Sequence, residues 1–315
     1  MWSIPLGRLV QCLKARGACR VVLQFPDGLK RKAFSTAIAL KEAGFEVTIS
    51  GDPCYGACDL AASALEKGSV LVHFGHAPIE ERDDVIYEPL QLDIDPAMLE
   101  GALSLLTRRR IGLVTTVQHA HMVDEMARYL KTRGVEVVVR SGGSRAPLKG
   151  QILGCSFAAA RETGADEILY VGTGVFHALG VQLATGARVV ALDPYLGTAE
   201  VVDASRMLRK RFALIEKARD AASFGILLST KTGQERRDLS RRLESLSPRA
   251  CIIALSEVTP DALLNLGFEC YVNTACPRLA YDDQARFPAP LLSPPEFEIL
   301  CGVRSWDAYL IDEIA

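Results

Sequence analysis

The chain has 315 residues, 49% of them hydrophobic and 23% charged, with 36 Lys and Arg against 38 Asp and Glu and a net charge of −2. That is the composition of a globular protein with room for two or three compact units, and it excludes a disordered or fibrous chain. There is no basic block and no apolar run of bilayer length, so neither nucleic-acid binding through a broad cationic face nor a membrane span is expected.

The N-terminal stretch Met1-Trp2-Ser3-Ile4-Pro5 lacks the basic-then-apolar pattern of a signal peptide. Nine Cys, an odd number scattered over a long chain, do not form a secreted disulfide framework. Reduced thiols in the cytoplasm are expected, some of them free to ligate metal.

In chain order, Arg20–Phe25 is a short apolar run that predicts a buried strand, ended by Pro26-Asp27-Gly28. A helix is expected from about Lys30 to Ala43, with Gly44 as its cap. Phe45–Ile49 is a second strand. It leads into Gly51-Asp52-Pro53-Cys54-Tyr55-Gly56-Ala57-Cys58-Asp59, where two thiols leave a turn together, and an alanine-rich helix is expected from Asp59 to Glu66. Ser69–Phe74 is a third strand ending in Gly75-His76, and Val85–Pro89 a fourth.

The order then restarts. Arg110–Thr116 is a strand, followed by a helix from about Met122 to Thr132 and a strand over Val135–Val139. A loop follows, and then Gly154-Cys155-Ser156-Phe157 leads into a small-residue helix. Glu167–Val171 opens into Gly172-Thr173-Gly174 and His177, and Val189–Leu192 ends at Asp193. After a charged helix over about Val201–Ala222 the order restarts again. Strands are expected at Phe224–Leu228, Cys251–Leu255 and Cys270–Thr274, and helices up to about Leu246 and over Pro260–Leu266.

This pattern predicts an α/β protein of three pseudo-symmetric units, 1–107, 108–222 and 223–315. Each is a small parallel sheet flanked by helices. Loops at the carboxyl ends of parallel strands are where such folds place ligands. Each unit offers one Cys there: Cys58 and Cys155 after second strands, Cys276 after a third strand. Three thiolates from three units could meet at a central seam around one metal centre with an open coordination position. Zinc, copper(I) and an iron–sulfur cluster all suit thiolates. Cys12, Cys19, Cys251, Cys270 and Cys301 fit packing roles, and Cys54 fits either role. Gly172-Thr173-Gly174 is a weak nucleotide signal that a tight turn also explains. The five histidines fit loop hydrogen bonds as well as ligation, Asp282-Asp283 a solvated or capping pair, and Arg108-Arg109-Arg110 a solvated run.

Three stretches, Gly51–Asp59, Gly150–Ser156 and Thr274–Arg278 with Asp282-Asp283, together with Val72–Pro78, resemble the archaeal diphthamide-synthesis enzymes over nearly the whole chain. The resemblance implies a 3-amino-3-carboxypropyl transferase acting on elongation factor 2, with a [4Fe-4S] cluster at the shared centre of the three units. By position the ligands are Cys58, Cys155 and Cys276. It also implies a homodimer, S-adenosylmethionine as co-substrate, an electron donor, and radical transfer to a histidine imidazole C2. The common radical Cys-x₃-Cys-x₂-Cys motif is absent, as it is from that family. Contacts to S-adenosylmethionine are expected near Gly172, Thr173, Gly174, His177, Ser229 and Gln234, with Arg278 against the methionine carboxylate. No residue is singled out as catalytic. The alternatives are a quinolinate-synthase-like cluster enzyme on a small substrate and a non-catalytic thiolate–zinc or nucleotide-binding module.

Overall fold

Runs of two to seven residues, mostly rich in Val, Ile and Leu and punctuated by Gly and Pro, become thirteen strands among the described residues. They are β1 (Arg20–Gln24), β2 (Glu46–Ile49), β3 (Ser69–Gly75) and β4 (Val85–Pro89); then β5 (Arg110–Thr115), β6 (Glu136–Val138), β7 (Glu167–Val171), β8 (Arg188–Asp193) and β9 (Thr198–Val201); then β10 (Phe224–Ser229), β11 (Ala250–Leu255), β12 (Cys270–Asn273) and β13 (Leu291–Leu292). The computed structural model describes residues 4–314, so Met1, Trp2 and Ser3 of the N-terminal stretch lie outside the described residues.

The strands form three sheets, ordered β2-β1-β3-β4, β6-β5-β7-β8-β9 and β11-β10-β12-β13. The order is the same in each: second strand at the edge, then first, third and fourth. Every pair is parallel except β8 with β9, where Val190 faces Val201 and Asp193 faces Thr198. Register is set in the central pairs: Leu23 of β1 lies beside both Ile49 and Val72, and Leu227 of β10 beside Ile253 and Asn273. Strands covered on both faces are apolar throughout. All seven residues of β3, five of β7 and six of β10 are buried, whereas edge strand β2 has no buried residue. In each sheet the chain leaves the first strand in one direction and later returns on its other side. The crevice beyond the carboxyl ends of first and third strands is the place such sheets offer a ligand.

Helices cover the faces. Leu9 and Leu13 of the helix Leu6–Ala15 pack with Leu23, Phe25 and Phe74 in the first core. Phe25 and Phe74 stack with centroids 4.1 Å apart. Val123, Met126 and Leu130 of the helix Val123–Thr132 fill the second core, and Phe224, Val272 and Phe297 the third.

Four expected elements differ. No α-helix forms from Asp59 to Glu66; a single 3₁₀ turn, Ala62–Ala64, stands there. The buried Gln24 takes that segment's backbone instead: its Nε2 donates to the Asp59 carbonyl (2.7 Å) and its Oε1 accepts from the Ala61 N–H (3.2 Å). The small-residue helix after Cys155 is one turn, Ala158–Arg161. The expected helix over Val201–Ala222 shortens to Ser205–Lys217, because Val201 belongs to the antiparallel strand β9. The helix expected from Lys30 begins as a 3₁₀ turn over Asp27–Lys32 and becomes α-helical at Ala33–Glu42.

Helix Ser205–Lys217 carries a buried ion pair that fastens the last unit. Arg211 and Glu296 are 4% and 0% exposed and share a bidentate contact, with Arg211 Nε donating to Glu296 Oε1 at 2.7 Å. Arg211 also donates to the Ala280 and Leu291 carbonyls, and the Tyr309 hydroxyl donates to Glu296. Removing one partner leaves an unpaired buried charge, so Arg211→Ala is expected to cost about 3–5 kcal/mol of stability. Urea denaturation measures this, and Arg211→Met with Glu296→Leu is expected to recover most of the loss.

Candidate metal centre

The three thiols come from three loops, each at the carboxyl side of its own sheet. Cys58 lies between β2 and β3, Cys155 between β6 and β7, and Cys276 three residues beyond β12. All three line one cavity of about 440 Å³, together with His76, Arg145, His177 and Arg278. Cys58 opposes the ionisation of Cys276, and Cys155 that of Cys58. Burial and then Cys58 push the Cys276 thiol up to about 12, and burial also raises Cys58, against the Gln234 amide that donates to its sulfur at 3.3 Å. Buried thiols this close cannot all ionise unless a cation sits among them, which is the demand of a metal or cluster with thiolate ligands.

The surrounding backbone leaves no slack. A Cβ on Gly233 of the third unit would stand 2.5 Å from both Cα and Cβ of Cys58, so the third sheet's loop lies directly on the first unit's Cys58. A Cβ on Gly154 would meet the Phe176 ring at 2.9 Å and the Arg278 stem at 3.1 Å. Arg145 reaches across to donate to the Gly233 carbonyl (2.6 Å), while its Nε is buried without a hydrogen-bond partner among the described residues. Lys231 bridges Asp59 (2.9 Å) and Glu257 (2.6 Å), tying the first Cys loop to the third unit. The Cys155 loop is held from behind by residues 312–314: the Ile314 N–H donates to the Cys155 carbonyl (2.8 Å), Glu313 accepts from the Phe157 N–H (2.7 Å), and Asp312 pairs with Arg236 (2.7 Å).

The residues expected to meet S-adenosylmethionine are dispersed. His177 and Arg278 line the central cavity. Arg278 pairs with Asp282 at 2.9 Å and lies over the Phe176 ring at 5.3 Å. Burial and the neighbouring Arg278 hold His177 neutral, its pKa lowered to about 4. Ser229 and Gln234 line an adjoining cavity of about 330 Å³ that shares Tyr55, Cys276 and Arg278 with the first. Gly172, Thr173 and Gly174 line neither cavity. Gly172 packs against Tyr170, and Gly174, at φ +77°, caps the helix Val175–Thr185. Asp282 and Asp283 pair with Arg278 and Arg286. Arg145, Gly233, Gln24 and the strap at 312–314 escape a reading of the chain alone, since only the docking of the units gives them neighbours.

Cys54 is buried, and burial with Asp59 nearby pushes its thiol up to about 12. Its sulfur, a His73 nitrogen and a His76 nitrogen lie within 4.8 Å of one another, beside the central cavity.

Three small α/β units that each present one thiol to a shared cavity match the donor set of thiolate metal proteins, and iron–sulfur ligation fits three Cys. The family model described as "Putative diphthamide synthesis protein" matches residues 25–310. The chain is 38% identical to the 2-(3-amino-3-carboxypropyl)histidine synthase of Pyrococcus horikoshii, over 99% of this chain and 94% of that protein. It is 32% identical to subunit 1 of the human synthase, over 97% of this chain and 73% of that protein. Superposition on the crystal structure of Dph2 from Pyrococcus horikoshii with a 4Fe-4S cluster gives a TM-score of 0.93 at 35% identity, covering 99% of this chain and 94% of that one. The chain belongs to the diphthamide-synthesis family and is an enzyme of its transferase type. No helix among the described residues is long and apolar enough to cross a membrane.

Each thiol and its support can be tested separately. Cys58→Ala, Cys155→Ala and Cys276→Ala are expected to lower iron and acid-labile sulfide after anaerobic reconstitution, and Cys12→Ala, Cys251→Ala and Cys301→Ala to leave both unchanged. Gly233→Ala is expected to lower them too, with the fold kept, because the added methyl displaces Cys58.

Proposed function

We propose that this chain transfers the 3-amino-3-carboxypropyl group of S-adenosylmethionine to the imidazole C2 of a histidine on elongation factor 2. The observation that carries the reading is the single cavity lined by Cys58, Cys155 and Cys276 from three sheets, with basic side chains on its wall. Cys58, Cys155 and Cys276 would hold a [4Fe-4S] cluster, with His76 and His177 in the cavity wall rather than among its ligands. When bound, the cluster supplies the electron that breaks the bond between the sulfonium and the methionine γ-carbon.

The chain's own residues then have three tasks. Arg278 and Arg145 offer guanidinium groups to the methionine carboxylate; the partnerless Nε of Arg145 is a donor that an anion would satisfy. His177, held neutral, and the flat face of Phe176 under Arg278 bound the space for the nucleoside. Ser229 and Gln234 extend that space into the adjoining cavity. Packing of the three units, 1–107, 108–222 and 223–315, excludes water from the seam, which keeps a reactive carbon radical from being quenched before it meets the imidazole. An external electron donor, a homodimeric assembly and a cytoplasmic setting complete the reading. They rest on the family resemblance and on reduced thiols, with all nine Cys free.

The products decide between this chemistry and the commoner cleavage. Dithionite reduction of the loaded enzyme with S-adenosylmethionine is expected to release methylthioadenosine with little 5′-deoxyadenosine, separated by chromatography. Predominant 5′-deoxyadenosine would contradict the proposed bond cleavage. Unmodified elongation factor 2 after such a reaction would contradict the acceptor.

A further inference from the structure

Behind the cavity wall lies a chain of hydrogen bonds that fixes which nitrogen of His76 carries a proton. It starts at Gln24, which is 1% exposed at the end of β1. Its amide orientation is forced: Nε2 donates to the Asp59 carbonyl (2.7 Å), and Oε1 accepts the Ala61 N–H (3.2 Å). The same Oε1 is 2.8 Å from Nδ1 of His73, so Nδ1 must be the protonated nitrogen of that ring. His73 is fully buried, and burial and then His76 lower its pKa to about 3, so the ring is neutral and its Nε2 carries a lone pair. That Nε2 is 2.9 Å from Nδ1 of His76, and the bond exists only if His76 Nδ1 donates. His76 is itself neutral, lowered to about 4 by burial. Its remaining nitrogen, Nε2, is therefore an unprotonated acceptor, and no partner for it stands among the described residues.

His76 lines the cavity that holds the three thiols. Around it the wall is apolar, with Pro26, Leu29, Ile79 and Leu90. Elsewhere on the wall Arg145 and Arg278 are donors, Tyr55, Thr116, Gln118, Gln151 and His177 add neutral polar groups, and no carboxylate lines this cavity among the described residues. The single acceptor His76 Nε2 would satisfy only one of the three N–H groups of a side-chain ammonium, and the apolar side chains beside it would satisfy none of the others. A neutral heteroaromatic N–H meets no such cost: its ring fits the apolar wall, and its single donor fits a single acceptor. Resting on the transferase reading above, we propose that His76 Nε2, held as an acceptor by the Gln24–His73 relay, takes the ring N–H of the target histidine and so presents that imidazole's adjacent C2 to the thiol seam. Gln24 and His73 are positioning residues, and His76 is the group that touches substrate. The anchor also discriminates. A side chain of similar shape without a ring N–H leaves the buried Nε2 unpaired.

Two measurements test this. Long-range proton–nitrogen correlation on the full chain before cluster reconstitution, with labelled histidine, is expected to show His76 protonated at Nδ1 and bare at Nε2. This is the tautomer opposite to the usual one for a free side chain, and Gln24→Leu is expected to abolish it. A His76 protonated at Nε2 in the unaltered chain overturns the proposal. So does a stoichiometric metal that is lost on Cys54→Ser, since Cys54, His73 and His76 would then be ligands. In the second, binding of elongation factor 2 to the reconstituted enzyme with S-adenosylmethionine is expected to weaken about tenfold in His76→Leu, with partial recovery in His76→Gln, whose amide oxygen restores an acceptor. The same His76→Leu change is expected to have no effect on a factor whose target histidine is replaced by Ala. Equal loss on both factors, or a loss of S-adenosylmethionine affinity instead, overturns the assignment. If the unaltered enzyme failed to modify elongation factor 2 at all, the transferase reading would fail with it. Modification without coupling between the two histidines would sink the His76 assignment alone.

Discussion

Three thiolates do not gather in a buried seam unless positive charge is placed among them, and most of the site's construction answers that constraint. Burial raises the Cys58 and Cys276 thiols; Cys58 and Cys155 raise Cys276 further, and Cys155 raises Cys58. Without a cation, burial favours the protonated thiols of Cys58 and Cys276. With one, the same closeness becomes favourable, because each sulfur's charge faces the metal rather than another sulfur. A bound cation among these thiols would therefore link the site's stability to the docking of the three sheets.

Docking is enforced by contacts that cross between units at the ligand loops. Gly233 lies on Cys58 with no room for a side chain, Lys231 spans Asp59 and Glu257, and Arg145 reaches the Gly233 carbonyl. Residues 312–314 run back to the Cys155 loop while Asp312 holds Arg236 of the third unit. Each ligand loop is irregular, with at most one helical turn directly behind its Cys. The backbone there is held by side chains such as Gln24 and by neighbouring units, rather than by its own helix. That leaves the loops free to take the shape the cluster needs, at the expense of local propensity.

The repeat was legible because parallel strands buried on both faces leave apolar runs that turn signals delimit. Val70–Phe74, Ile168–Val171 and Ile226–Leu228 need no tertiary knowledge to be read as strands. The common strand order of the three sheets makes the repeat firmer than residue identity suggested. The segment after Asp59 misled, because its alanines favour helix while a residue 35 positions earlier, Gln24, claims its backbone. The short β9 was hidden in a charged stretch, since an exposed edge strand needs no apolar pattern. At the site, the Cys at strand ends could be picked out by position. Arg145, Gly233 and the Gln24–His73–His76 relay could not, because their meaning lies in contacts across long sequence separations.

The measurement that bears most directly on the account is the spin-resonance spectrum of anaerobically reconstituted, reduced protein, recorded before and after adding S-adenosylmethionine. The account predicts one reduced four-iron cluster per chain whose signal shifts on addition, with the resting signal unchanged in His76→Ala and His177→Ala. A spectrum that does not respond to S-adenosylmethionine, or a resting signal altered by either histidine change, would contradict a cluster held by Cys58, Cys155 and Cys276 with its fourth iron open.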